Sequence, residues 1–187
     1  VFTYNLCVRT GAMDVIGSMI TSISSDRRLL ALLVAWCFGG FMEGMAGFGT
    51  AVAIPAGMLA GLGFEAVPAV LICLLANGVP TPYGSIGIPT VSVADLVGLD
   101  SLHLATVQLV QLAPFFVVMP IFIVLVAGRV ADDHGNVASV GERLHGVAGV
   151  ALLSGVSFVG AALVVAMFVG PELAVVVGSI VSLALTA

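Results

Sequence analysis

Apolar residues run through the chain in long blocks, and short polar breaks separate them. Residues 1–9 read as the end of a spanning helix closed by Arg9, and 11–22 as a mildly amphipathic, interfacial segment. SSDRR (24–28) is the first polar break. Residues 29–42 are apolar, EGMAGFGT (43–50) interrupts them, and 51–64 are apolar again up to Glu65. A short apolar run, 66–76, leads into the Gly- and Pro-rich NGVPTPYGSIGIPT (77–90). VSVADLVGLDS (91–101) reads as a loop or interfacial turn. Residues 102–127 and 146–169 are each long enough to cross a bilayer, which takes about 20 residues. The most polar loop, 128–145, lies between them, and GPE (170–172) opens a last apolar helix. These elements predict an all-α polytopic membrane protein.

The unit 29–64 poses a length problem. Two crossings need about 40 apolar residues, so the unit is too short for two and too long for one. It is either one badly broken helix or a re-entrant hairpin with its tip at 43–50. Arginine placement arbitrates, because short cytoplasmic loops collect basic residues. A hairpin puts Arg27, Arg28, Arg129 and Arg143 on one face and leaves Asp95 and Asp100 on the other. A single crossing would split the arginines. The expected fold therefore has one re-entrant hairpin (about 29–64) and one broken helix (about 66–90), with the arginine loops cytoplasmic.

The hairpin explains why a carboxylate and several glycines interrupt an apolar stretch. An arm of about 14 residues reaches about 21 Å at the helical rise, so the tip lies inside the membrane. Non-helical backbone at that depth must be buried in protein or line a watery cavity. Glycines allow its tight geometry, although Gly40 and Gly44 also have the spacing of a helix-packing motif. The second arm, bent by Pro55, then offers free N–H groups and a positive dipole end to an anion. The N–H groups of Gly47, Phe48, Gly49 and Thr50 are candidate carboxylate ligands. A second interruption at 77–90 changes the weight between packing and binding. Paired apolar segments broken by Gly and Pro point to a transporter site. Asn77, Thr81, Tyr83, Gly84 and Ser85 lie beside that break and complete the candidate set. Glu43 is the acid deep in the hairpin. Desolvation there favours a protonated form able to carry a coupled proton, whereas a tip cap accepting backbone hydrogen bonds would stay ionised.

Composition narrows the class. The chain has 187 residues, 60% hydrophobic and 8% charged, and no Lys. Its mean hydropathy is +1.26. A soluble domain carries about 25% charged residues, so lipid must be the main solvent here. Five Arg against a net charge of −5 exclude a nucleic-acid surface. Cys7, Cys37 and Cys73 fall in apolar segments at spacings that fit no zinc site. Asp132, Asp133 and His134 read as solvated loop without a third spaced ligand. Gln108 and Gln111 share a helix face near His103, suited to interhelical hydrogen bonds or a pathway lining. No metal or cofactor is expected beyond a coupling ion, proton or sodium.

EGMAGFGTAVAIPAGMLAGLGF followed by ANGVPTPYGSIGIPT resembles the L-lactate permease family. The shared pattern is Glu-Gly-x-Ala-Gly-Phe-Gly, an apolar arm, then Asn-x-x-Pro-x-x-x-Gly-x-x-Gly-Ile-Pro. SSDRRLLALLVAWCFGGFMEG and GPELAVVVGSIVSLALTA extend the likeness over nearly the whole chain, least at 128–160. Asn-Gly at 77–78 replaces the family's usual Asn-Thr, and Tyr83 stands where Phe is common. The resemblance implies a secondary transporter of lactate and related 2-hydroxymonocarboxylates such as glycolate, driven by a cation gradient, usually protons. It implies a multi-pass protein of a prokaryotic plasma membrane, with two inverted repeats and an elevator-like motion. Residues 1–187 would form a single membrane domain, one half of such a transporter. The remaining half of the chain would then be a partner, and a homo-oligomer stays open. Two other classes compete. A channel could line its pore with the backbone of AGFGT, but that stretch lacks a preceding Thr-Val; saturable, gradient-dependent flux excludes it. An intramembrane enzyme could use Ser85, but GSIG is not G-x-S-x-G, and no His is placed beside it.

Overall fold

The structure, a computed structural model, describes residues 9–11, 15, 24, 26–47, 49–130 and 139–187. The expected helix end at 1–9, the interfacial segment at 11–22, Cys7, Phe48, Asp132, Asp133 and His134 lie wholly or largely outside them. Among the described residues the main elements are helices. They are α1 (Arg27–Met45), α2 (Thr50–Gly61), α3 (Ala66–Asn77), α4 (Gly84–Val97), α5 (Ser101–Val130), α6 (Val140–Leu144), α7 (Ala148–Phe168) and α8 (Pro171–Thr186). Helices α1, α5 and α7 are long and apolar enough to cross a membrane, and α3 and α4 form a broken pair bent by 70°.

The hairpin is present, with unequal arms. Asp26 caps α1 by accepting the Arg28 amide at 2.9 Å. Arm α1 runs 19 residues and contains a π-helical segment, Leu32–Phe38, buried almost throughout. The chain turns at 46–49, where Gly47 and Gly49 take positive φ of 56° and 84°. Arm α2 returns over 12 residues, about 18 Å. Its Pro55 ring packs beside Gly39 of α1, in a groove that a side chain there would narrow. At the hairpin base the Arg27 guanidinium donates to Gly63 O and lies 4.8 Å from the centre of the Phe64 ring. The two ends of the unit 29–64 therefore meet at one end of the molecule.

That end gathers the arginines. Arg28 is paired with Asp26 at 2.7 Å and donates to Arg143 O at 2.7 Å. Gly128, next to Arg129, lies against the Arg28 and Arg143 side chains. Helix α5 thus starts at the opposite end and returns to the arginine end over 30 residues, about 45 Å. Helix α7 leaves the arginine end, and α8 comes back.

The core is built where α1, α5, α7 and α8 cross. Trp36, Phe116 and Phe158 form a three-ring cluster with centroid separations of 5.1–5.9 Å. Gly155 lets α7 cross α5 at backbone contact: an added Cβ would lie 2.8 Å from Phe116 O and Val117 Cα. Cys37, Ser154 and Ser182 form a buried polar knot at the same level, with the two hydroxyls 2.8 Å apart. Cys37 and Cys73 are free and buried, as small core residues.

One boundary differs from the sequence reading. The stretch 91–101 was expected as loop or turn, yet 91–97 continues α4. Its exposed Val93, Leu96 and Val97 give no helical stripe to read, because the buried positions are few, Thr90 and Ala94. Gly98 at φ 68° ends the helix, with Leu99 N donating to Ala94 O. The broken unit accordingly spans 66–97.

Candidate functional site

The hairpin tip and the helix break meet. The Ser85 hydroxyl donates to Ala46 O at 2.8 Å. Gly47 lies so close to Ser85 that an added Cβ would stand 2.9 Å from Ser85 N and overlap its hydroxyl. A Cβ on Gly84 would overlap Glu43 Oε1, so the Glu43 carboxyl rests on the bare backbone of the break. On the other side, Gly87 approaches the start of α8, with Pro171 C and Glu172 N at 2.9 and 3.0 Å from an added Cβ. Gly44 meets Val176 in the same way, and Gly40 meets Phe158 and Ser179. The helix-packing reading therefore holds for Gly40 and Gly44, while Gly47, Gly84 and Gly87 bring three interrupted backbones together.

The depth follows from α8. Val176 is five residues past Pro171, about 8 Å at the helical rise. The end of α1 thus packs about a turn and a half below the α8 start, away from the arginine end.

The break has an unusual screw sense. Ser85, Ile86 and Gly87 take φ of 50°, 58° and 72°, three left-handed residues in a row. Left-handed backbone costs a non-glycine residue roughly 1–2 kcal/mol, and it is rarer still for a β-branched one. Such outliers persist where surrounding contacts enforce them, and they cluster at functional sites. Here the enforcing contacts are Ser85 with Ala46 and Thr90 with the turn before the break. The Thr90 hydroxyl lies 2.7 Å from Pro82 O and 2.8 Å from Gln108 Oε1, which ties the break to α5. Gln108 thus makes an interhelical hydrogen bond. Gln111 and His103 are exposed, and the His103 amide donates to Asp100.

Hydrogen-bond accounting separates the candidate ligands. The Tyr83 hydroxyl is buried and donates to Ala105 O at 2.6 Å. The Thr81 hydroxyl donates to Asn77 O at 2.7 Å, and the Thr50 hydroxyl donates to Gly47 O. The amide of Thr50 also goes to Gly47 O, and that of Gly47 goes to Glu43 O and Met42 O. Of the four amides assigned to a carboxylate, two are therefore engaged within the tip, and Phe48 lies outside the described residues. The Gly49 amide has no partner among the described residues. Two buried acceptors beside the interruptions also lack a donor: Glu43 Oε2 and Asn77 Oδ1. Glu43 is 3% exposed. No described backbone amide donates to its carboxyl.

Sequence reasoning missed Thr90, Gly87 and the start of α8 as neighbours of the site. The spacing Gly84-x-x-Gly87 inside the break was a visible signal for close approach on two sides. Nothing in the sequence marked Thr90.

A hairpin and a broken helix that meet within a bundle of apolar spanning helices define a polytopic α-helical membrane protein. The L-lactate permease family matches the chain over residues 1–187, and the chain belongs to it. It is 41% identical over its full length to an L-lactate permease of Streptococcus iniae, covering 37% of that relative. It is 38% identical over 98% of its length to an L-lactate permease of Bacillus subtilis, covering 31% of it. A glycolate permease of Escherichia coli is 34% identical over 98% of the chain, again over 31% of the relative. The chain thus spans about a third of the curated relatives it matches. No solved structure matches it.

Proposed function

We propose that the complete protein is a secondary active transporter that imports lactate and related 2-hydroxymonocarboxylates such as glycolate by proton symport. The observation that carries this reading is the junction of hairpin tip and helix break, with the Glu43 carboxyl buried in it. Relatives named for lactate and glycolate supply the substrate class. The small carboxylate is held between the two interruptions. Its charge meets the amide dipoles at the start of α2, Gly49 foremost, since half-helix N-termini at membrane depth attract anions. The rest of the site comes from Gly47, Phe48, Thr50, Asn77, Thr81, Tyr83, Gly84 and Ser85, mostly as scaffold through the hydrogen bonds above. Glu43 carries the coupled proton. No cation pairs with it among the described residues, which suits a carboxyl that gains and loses a proton. The remaining two thirds of the relatives' length provides a second half that completes the site. The protein acts in the plasma membrane of a prokaryote, with the Arg27, Arg28, Arg129 and Arg143 end cytoplasmic. It performs no covalent chemistry on its cargo.

The test is uptake of labelled L-lactate by proteoliposomes holding the full-length protein, under an imposed proton gradient, a sodium gradient or neither. The proposal expects saturable, proton-driven accumulation, with gradient-driven accumulation lost in Glu43→Gln. Dependence on sodium alone sinks the coupling assignment. Unsaturable flux would make the protein a channel.

A further inference from the structure

We infer that Glu43 is the residue that reads the substrate's 2-hydroxyl group, and so sets the preference for hydroxy acids over plain carboxylic acids. The inference rests on the transporter reading above and deepens it. The hydroxyl side chains around the site suit the task by type, but the structure has already spent them. Tyr83 is turned to Ala105, Thr81 to Asn77, Thr50 to Gly47, Ser85 to Ala46 and Thr90 to Pro82 and Gln108. A hydroxyl has one proton to give, and each of these protons is committed within the chain, so every one of these oxygens already takes part in a hydrogen bond.

The acceptor left with no hydrogen bond at all at the junction is a carboxyl oxygen. Glu43 Oε2 is buried with no donor, and its partner oxygen rests on the Gly84 backbone at the junction itself. A buried unpaired acceptor is costly and rare, and it asks for a donor from outside the chain. The 2-hydroxyl of lactate or glycolate is such a donor. Acetate and propionate have none.

The same geometry accommodates the coupled proton. A neutral carboxyl has one O–H donor and one C=O acceptor. An α-hydroxycarboxylate offers a carboxylate oxygen beside a hydroxyl donor. Face to face they form two hydrogen bonds, one in each direction, and no bond is made or broken. A plain carboxylate can form only the first. Asn77 Oδ1 is the rival open acceptor. It belongs to the end of α3, whereas Glu43 touches both interruptions, so Glu43 takes the hydroxyl.

The experiment is equilibrium binding of labelled L-lactate to the full-length protein in nanodiscs, competed with unlabelled lactate and propionate. The native protein should prefer lactate about tenfold, the net worth of one hydrogen bond (~1.4 kcal/mol). Glu43→Gln keeps one acceptor and one donor and should keep that ratio. Glu43→Leu should bring it to about one. Thermal unfolding checks that each variant is folded, and Leu in this apolar setting removes an unpaired buried group. A tenfold preference retained in Glu43→Leu overturns the inference. So does a ratio lost in Asn77→Leu alone. Equal loss of both acids in a folded Glu43→Leu protein also overturns it, because Glu43 would then serve the carboxylate. If the native protein binds neither acid, the transporter reading itself fails.

Discussion

Replacing Gly47 by Ala tests whether the tip and the break touch. Two penalties act at this position. Gly47 sits at φ 56°, where a side chain costs roughly 1–2 kcal/mol. The new methyl would also lie 2.9 Å from Ser85 N and 3.3 Å from Ser85 Cβ. Backbone nitrogen cannot rotate away, so the tip must retreat by about half an ångström, and overpacking of this kind costs about 1–3 kcal/mol. Gly49 provides the control. It has a φ of 84°, yet nothing lies within 4 Å of an added Cβ. Gly49→Ala should therefore lose only the conformational part, and Gly47→Ala about 1–3 kcal/mol more. Chemical denaturation of the full-length protein in mixed micelles measures the difference. Ser85→Ala in the Gly47→Ala background should recover part of it, since the Ser85 hydroxyl is one of the overlapping atoms. Equal destabilisation by the two Ala variants, or no coupling to Ser85, would mean that the contact does not exist in the folded protein.

Other outcomes follow from the same geometry. Tyr83→Phe removes the bond to Ala105 O and should cost about 0.5–1.5 kcal/mol of stability, as chemical denaturation will tell. Gly155→Ala should destabilise the bundle by about 1–3 kcal/mol, because the methyl meets α5 backbone. Gly160→Ala, on the same helix with nothing within 4 Å, should be neutral or gain up to about 1 kcal/mol; matching effects at the two sites would contradict the α7–α5 crossing. The hydrogen bond from the Arg28 side chain holds the Asp26 carboxyl below its ordinary value of 3.8. Its stabilisation should be complete above that value and fade as pH falls through the depressed one. Asp26→Asn should abolish that acid-side loss at the start of α1, as hydrogen exchange of the Arg28 amide would record.

Much of the architecture was legible because lipid imposes few solutions. Block lengths gave α5 and α7, and the arginines gave the hairpin, whose base the Arg27–Gly63 bond then closes. The two interruptions announced themselves through Gly and Pro. Their finer structure did not. Ile86 is a residue that sequence reasoning would never place in left-handed backbone, and the bonds of Ser85 and Thr90 flank it there. The π-helical segment Leu32–Phe38 has an ordinary apolar sequence, so nothing distinguishes it from α-helix before packing is known. The hydroxyls beside the break were visible, but composition cannot say to which carbonyl each one turns. The bonds of Thr81 to Asn77 O and of Tyr83 to Ala105 O are of this kind.

The hairpin is fastened differently at its two ends. Its root is bolted by a guanidinium that grips a carbonyl and an aromatic ring together. Its free end is held by one serine hydrogen bond and by the closeness that absent side chains allow. The contact between Ala46 and Ser85 should therefore give more readily than the root. Spin labels on neighbouring positions that leave Arg27 and Ser85 in place would register the asymmetry: a fixed distance across the root and a varying one across the tip as lactate is added.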